Sequence, residues 1–235
     1  MNVLNILSGG AAQGLVGSLA PALKAQTGFD VGGEFGAVGA MADKLRNRTP
    51  TDIVILTAAI VARLAEENLV VPASIRNIGL VETALAVRAG DPKISVADAA
   101  GLREAFLASD AIFVPDIKVS TAGIHVAKVL EQLGIAREVE HRLQIFPNGA
   151  TAMRHLAESD AQRPIGCTQS TEIISTTGVV LSGSLPSGCD LATMYTAAVT
   201  TDASAAQQAQ RLIDLLTAAD ARERRKSAGF VGGPG

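Results

Sequence analysis

The stretch VLNILSGGAAQGLVGSLAPALKAQTG, residues 3–28, joins an apolar run, a turn of small residues and an amphipathic segment. Its first part, Val3 to Leu7, predicts a buried strand. The segment from Ala11 to Thr27 predicts a helix, because its leucines recur four residues apart on one face. A strand, a bare turn and a helix in this order are typical of the first half of a βαβ unit.

The same alternation continues along the chain. Strands are predicted at Phe29–Phe35 and Ile53–Leu56, with helices at Val38–Asn47 and Ile60–Glu67. After an extended run at residues 81–88, a second series follows. Its helices are predicted at 95–107, 121–133 and 150–158, and its strands at 112–114, 143–146 and 165–168. A strand at 194–199 and a helix at 203–216 remain, which indicates that the chain returns to complete its first α/β unit.

Composition limits the partners. The chain has 235 residues, of which 48% are hydrophobic. Its net charge of -3 gives no basic surface for nucleic acid, and the absence of Trp leaves little for a stacking platform. No apolar stretch approaches about 20 residues, so no membrane insertion is predicted. Met1 is not followed by a basic region or a cleavage site, which predicts a cytoplasmic protein as written, or a periplasmic one if the N-terminus was trimmed.

Cysteine and histidine usage gives little sign of metal or redox chemistry. Cys167 and Cys189 are interpreted as buried free thiols rather than as a disulfide or a nucleophile. No metal-ligand spacing occurs, so neither a metal nor another cofactor is predicted. His141, His155 and the charged run 222–226 are expected at the surface, the run as a solvated helix end.

Four helix starts consist of small residues and follow strands. They lie at Ser8–Ala12, Gly36–Ala40, Ser120–Gly123 and Asn148–Ala150. Helix starts carry unpaired amides and the positive end of the helix dipole, and small side chains let an anion approach them. Neither GxGxxG with a later acidic partner nor GxxxxGK[ST] is present, so a nucleotide is not the expected ligand. The turns predict a small anion.

Five stretches carry a family resemblance. They are Ile6–Ala12 (ILSGGAA), Phe35–Met41 (FGAVGAM), Thr51–Leu56 (TDIVIL), Ala122–Lys128 (AGIHVAK) and Pro147–Ala150 (PNGA). In this order they resemble the molybdate-binding-protein-like branch of the type II solute-binding proteins. The resemblance implies the two-lobed type II periplasmic-binding-protein fold, in which two doubly wound α/β lobes joined by two hinge strands hold an anion in a cleft. The first lobe would comprise 1–81 and 179–235, and the second 82–178.

The ligand of this chain is expected to differ from molybdate. The hydroxyl group that the family places in the first turn is replaced by Ala11, the serine-rich second turn is Ala37-Val38-Gly39, and the late tyrosine is replaced near Gln169. Each unpaired ligand oxygen would cost about 1–3 kcal/mol. A small organic di- or tricarboxylate is therefore predicted. The expected substrate-binding residues are Ser8, Gly10, Ala11, Val38, Gly39, Thr57, Ser120, Thr121, Ala122, Asn148, Gly149, Thr168, Gln169 and Ser170.

Two main functions follow from the resemblance. One is cofactor-free proton transfer like that of aconitate isomerase, an enzymatic member of the family. In that reaction His125, placed in the first turn of its helix, or Lys118 would act as the base. The alternative is a non-catalytic binding protein of an ABC-type importer, with the permease as its partner. A cytosolic sensor without catalysis is a third possibility.

Overall fold

The computed structural model describes residues 2–233. In chain order its elements are β1 (Val3–Gly9), α1 (Gln13–Thr27), β2 (Asp30–Gly36), α2 (Val38–Arg46), β3 (Ile53–Thr57), α3 (Ala58–Glu66), β4 (Arg76–Arg88), α4 (Ala99–Ala108), β5 (Ala111–Pro115), α5 (Thr121–Gln132), α6 (Ala136–Val139), β6 (Leu143–Phe146), α7 (Gly149–Ala157), β7 (Pro164–Gln169), α8 (Ser170–Ile174), β8 (Val179–Ser184), β9 (Ala192–Val199), α9 (Ala206–Thr217) and α10 (Arg222–Ser227). Among these described residues, no helix combines the length and the apolar character needed to cross a membrane.

The chain divides into two compact units, Met1–Val81 with Thr193–Gly235, and Glu82–Ala192. The first unit contains a sheet in the order β2-β1-β3-β9, in which β1, β2 and β3 are parallel and β9 is antiparallel. Parallel strands need crossover helices, which α1 and α2 provide. Leu15, Leu19 and Leu23 of α1 are buried against this sheet, as their spacing predicted.

A buried carboxylate joins three parts of the first unit. Asp52 is 1% exposed and lies just before β3. It accepts hydrogen bonds from the backbone N–H of Asn5 at 2.8 Å, from that of Ala205 at 2.9 Å, and from the hydroxyl of Ser204 at 3.0 Å. Asp52 therefore fixes the start of β3 to β1 and to the segment before α9.

The second unit contains strands in the order β6-β5-β7-β4-β8. Strands β6, β5 and β7 are parallel, and β4 is antiparallel to both β7 and β8. One apolar cluster of this unit includes Leu85, Phe106 and Val126, and another includes Phe113 and Met153. These clusters cover the two faces of a sheet whose central strands β5 and β7 are largely buried.

The structure differs from the sequence interpretation in the limits of some segments. Residues 179–192, expected in the first lobe, pack in the second unit, because β8 pairs with β4 and the Thr83 N–H donates to the Leu191 carbonyl. Helix α4 begins at Ala99 rather than at residue 95, because the Asp98 side chain accepts the Gly101 N–H and caps it.

Two surface assignments have different outcomes. His155 is exposed as expected and stacks on Phe146. The prediction that the whole run 222–226 is solvated was wrong for Arg225, which is 3% exposed and donates to the carbonyls of Leu216 and Ala218. A cation suits this place because the C-terminal carbonyls of α9 are electronegative. Cys167 and Cys189 are buried free thiols, as predicted.

Candidate functional site

Three helices of the first unit begin directly after its parallel strands. Gly9 precedes the turn Gly10–Ala12 that leads into α1, Ala37 precedes α2 and Thr57 precedes α3. All three preceding residues are extended, and no side chain caps these helices. The first amides of a helix have no acceptor within the helix, and together with the dipole they attract anions.

These helix starts lie at one edge of the first unit's sheet. Gly9 is in register with Gly36, and Ser8 with Ile55, so β1, β2 and β3 end side by side. The carboxyl edge of a parallel sheet is where α/β proteins bind ligands. The predicted residues that the structure brings to this edge are Gly10, Ala11, Val38, Gly39 and Thr57.

The small residues after β1 also serve packing. A Cβ atom on Gly9 would lie 2.7 Å from Val38 Cγ1 and 2.8 Å from Tyr195 Cε1. Ser8 is fully buried, and its hydroxyl donates to the Gly9 carbonyl at 2.9 Å. The Ser8 hydroxyl, predicted as a ligand group, thus donates its proton inside the protein.

The second unit has a comparable helix start at α5. Ser120 precedes α5 and makes no capping hydrogen bond. The loop before it folds around Asp116, whose side chain accepts the N–H groups of Lys118 at 2.7 Å and Val119 at 3.2 Å. The first-turn amides of Thr121 and Ala122 therefore remain without a side-chain cap, like those of the first unit.

The start of α7 is different, because a side chain of the protein already occupies it. Asn148 caps α7 by accepting the Thr151 N–H at 2.8 Å. The carboxyl group of Glu172 lies against the first turn, so close that a Cβ atom on Gly149 would be 1.9 Å from Glu172 Oε2. Asn148 and Gly149, predicted as ligand residues, therefore form an internal contact.

The end of β7 and the first residue of α8 are buried around the same carboxyl group. Thr168, Gln169 and Ser170 are 0%, 4% and 6% exposed. The Thr168 hydroxyl donates to Glu172 Oε2 at 2.6 Å, so its proton is not directed to a ligand. Burial raises the pKa of Glu172, while the bonds from Thr168 and from the backbone amides of Gln169, Gly149 and Ala150 lower it, and the net shift is upward.

The two predicted bases have different environments. His125 is the fifth residue of α5, in its second turn rather than its first, and its Nε2 lies 2.8 Å from the Cys189 carbonyl. A carbonyl only accepts, so Nε2 carries the proton and only Nδ1 is left to act as a base. The side chain of Lys118 is exposed. Within residues 2–233 no group of three or more His, Cys, Asp or Glu side chains could hold a metal ion.

The family model described as "Bacterial extracellular solute-binding protein" matches residues 4–231. The chain belongs to this family of extracellular solute-binding proteins. Its periplasmic-binding-protein fold of type II, expected from the sequence, is confirmed by the solved structures that resemble it.

Three similar proteins illustrate the range of this solute-binding family's relatives. The periplasmic molybdate-binding protein of Azotobacter vinelandii superposes with a TM-score of 0.80 at 18% identity, covering 97% of this chain and 99% of that one. The sulfate-binding protein SubI of Mycobacterium tuberculosis H37Rv superposes with a TM-score of 0.75 at 17% identity, covering 98% of this chain and 86% of that one. The aconitate isomerase of a Pseudomonas species is 22% identical over 238 residues, covering 98% of this chain and 88% of that protein.

Glu172 is the residue at these turns that the sequence interpretation missed. It lies in QSTEI, residues 169–173, of which only Gln169 and Ser170 are predicted from the sequence as ligand residues. Thr168 lies in β7 and Glu172 in α8, so no helical spacing indicates their contact. The contact with Gly149, 23 residues earlier, depends on tertiary packing and is not visible in the sequence.

Proposed function

We propose that this member of the solute-binding family captures a small anion for an ABC-type importer and that helix-start amides hold the anion. The observation that carries this proposal is the gathering of three helix starts without side-chain caps at one sheet edge of the first unit. Family membership supports the same function. The permease of the importer would be the partner that receives the solute.

The proposed ligand is a small carboxylate. The turns before α1 and α2 offer amides between Gly, Ala and Val side chains, and the Ser8 hydroxyl is already used. A tetrahedral oxyanion brings four oxygens to one place, and those that face these apolar side chains would lack donors, at about 1–3 kcal/mol each. A di- or tricarboxylate carries its oxygens in separate pairs, and one helix start can bind one pair.

We further propose that the start of α5 in the second unit, with Ser120, Thr121 and Ala122, is an anion-binding helix start. The support is chemical, since the helix start at α5 also lacks a side-chain cap. This assignment predicts that a change confined to the start of α5 weakens binding.

A thermal-shift screen of carboxylates and oxyanions tests the function, followed by titration calorimetry with Thr121→Pro. Proline at the first position of a helix keeps the helix but removes one N–H. Losing one hydrogen bond to a charged ligand costs about 1.5–3 kcal/mol, so affinity should fall about tenfold or more. Ala99→Pro is the matched control at the first position of α4, and it should bind like the wild type.

Two results would refute the proposal. One is a screen in which no anion stabilises the protein, since any ligand of the native state raises its unfolding temperature. The other is equal loss of affinity in Thr121→Pro and Ala99→Pro. Thr121→Ala removes the hydroxyl group and keeps the backbone N–H, so its affinity separates the contribution of the hydroxyl group from that of the N–H.

The second candidate function is isomerisation of such a carboxylate by proton transfer, which the aconitate isomerase relative favours. His125 would remove a proton next to a carboxylate through Nδ1, and the allylic carbon would then be reprotonated, which shifts the double bond. Lys118 is the other candidate base. Incorporation of deuterium from heavy water into aconitate would support it, provided that His125→Ala or Lys118→Ala abolishes the exchange. The exposed His155→Ala is the control. Wild-type protein that exchanges no deuterium would exclude this function.

We propose that the protein acts outside the cytoplasm, as the description of its family favours over the cytoplasmic location expected from the sequence. Its solute would then be captured before import. Fractionation of cells that express the native gene tests this, with recovery in the periplasmic or extracellular fraction as the expected result. Recovery in the cytoplasmic fraction would contradict it.

A further inference from the structure

The first turn of α7 is occupied by groups of the second unit itself. The carboxyl group of Glu172 lies against the backbone of Gly149, and the N–H group of Thr151 donates to the Asn148 side chain at 2.8 Å. Helix starts leave their first amides to side-chain caps, water or a ligand. The α7 start instead has a carboxyl group built into it.

Close packing holds this carboxyl group in place. A Cβ atom on Gly149 would lie 1.9 Å from Glu172 Oε2 and 2.1 Å from Thr168 Oγ1, so only glycine leaves room for both groups. Glu172 is 6% exposed, and the Thr168 hydroxyl donates to it. The three residues form one buried contact, named here the α7 plug and consisting of Gly149, Thr168 and Glu172.

We infer that Glu172 is a specificity-determining residue that occupies the place of an anionic ligand group at α7, so that α5 is the helix start with which the second unit binds its ligand. This inference rests on the proposed function and deepens it. With α7 occupied, a tetrahedral oxyanion loses a set of donors that would meet its remaining oxygens. A single carboxylate group brings two oxygens to one place, where a tetrahedral oxyanion brings four, so it needs fewer donors there.

Chemical rescue tests whether the plug fills an anion site. Glu172→Ala removes the terminal CH₂ and carboxyl groups of the side chain, which acetate closely reproduces. The variant should be destabilised and should regain stability with acetate, the unfolding equilibrium shifting by about tenfold when acetate is at ten times its dissociation constant. Glu172→Gln is the matched control, because its amide fills the same space, and acetate should not stabilise it.

Specificity is measured on the same proteins. Glu172→Ala should bind molybdate or sulfate about tenfold or more tightly than the wild type, since one charge-assisted hydrogen bond is worth at least that factor. Glu172→Gln should show no gain. Rescue by acetate without any gain for these oxyanions would overturn the specificity role, and stabilisation of both variants to the same extent would overturn the plug.

The wild type provides a measurement if Glu172→Ala does not fold even in acetate. Its best anion should slow hydrogen exchange at the amides of Thr121 and Ala122 and leave Gly149 and Ala150 unchanged. Slowing at Gly149 and Ala150 would overturn the inference. A wild type that binds no anion refutes the proposed function, whereas the acetate comparison still decides whether Glu172 fills an anion site.

Discussion

Substituting Gly9 by alanine should destabilise the first unit although alanine fits the backbone. Gly9 has φ -61° and ψ 144°, which any residue adopts, so the cost is purely steric. The new Cβ would lie 2.7 Å from Val38 Cγ1 and 2.8 Å from Tyr195 Cε1. Carbon atoms pack at about 3.5–4.0 Å, so each neighbour must retreat by roughly 0.7 Å or more. Overpacking of this kind costs about 1–3 kcal/mol.

Tyr195 makes this cost measurable. It is the single tyrosine of a chain without Trp, and it is buried in the first unit. Its fluorescence during urea unfolding therefore reports on that unit. The control is Gly17→Ala in α1, where an added Cβ meets nothing within 4 Å and should stabilise by about 0.5–1 kcal/mol.

A double variant isolates the contact with Val38. Val38→Ala removes Cγ1, so in the Gly9→Ala background it should cost less than in the wild type, and the difference is the coupling energy. The reasoning is refuted if Gly9→Ala is as stable as the wild type, or if the two substitutions are additive. Either result would mean that the turn after β1 is bare for reasons other than packing.

Three further predictions concern buried groups. Asp52→Ala should lower the unfolding free energy of the first unit by about 2–6 kcal/mol, because the substitution leaves two backbone amides without an acceptor. Tyr195 fluorescence during urea unfolding measures this loss, and a loss below about 1 kcal/mol would contradict the prediction. Gly149→Ala should destabilise the second unit far more than Gly183→Ala, whose added Cβ meets nothing within 4 Å. Urea unfolding followed by circular dichroism compares the unfolding free energies of the two variants, and equal losses would contradict the α7 plug. Burial raises the pKa of Glu172 above 4.5, so the native state keeps the carboxyl proton at pH values where the unfolded chain has lost it. The contribution of Glu172 to the free energy of unfolding is therefore full below pH 4.5 and falls as pH rises through the folded-state pKa. The stability of the wild type relative to Glu172→Gln should therefore decrease from pH 4.5 upward, and urea unfolding that gives a constant or increasing difference would contradict the raised pKa.

The architecture was predictable where one residue pattern decides an element. Leucines four residues apart defined α1, and short apolar runs between small-residue turns defined β1 and β3. The order of these elements gave the parallel sheet of the first unit, because a helix between two strands returns the chain in the same direction.

Contacts between distant residues were not predictable from those patterns. Strand β8 has no alternation of its own and is defined by its antiparallel pairing with β4, so its unit could not be assigned from sequence. Arg225 lies in a charged run, and only the C-terminal carbonyls of α9 explain its burial. Glu172 could not be linked to Gly149, because nothing local indicates that α7 needs an acceptor.

The central claim is that amides at helix starts hold the anion, and backbone amide NMR of the wild-type protein tests it most directly. Titration with the anion that stabilises the protein most should move the signals of Val38, Gly39, Thr121 and Ala122 the furthest. Gly101, whose N–H donates to Asp98 at the start of α4, should not move. The largest changes at α4 or on the outer faces of the helices, with these four amides unchanged, would contradict the account.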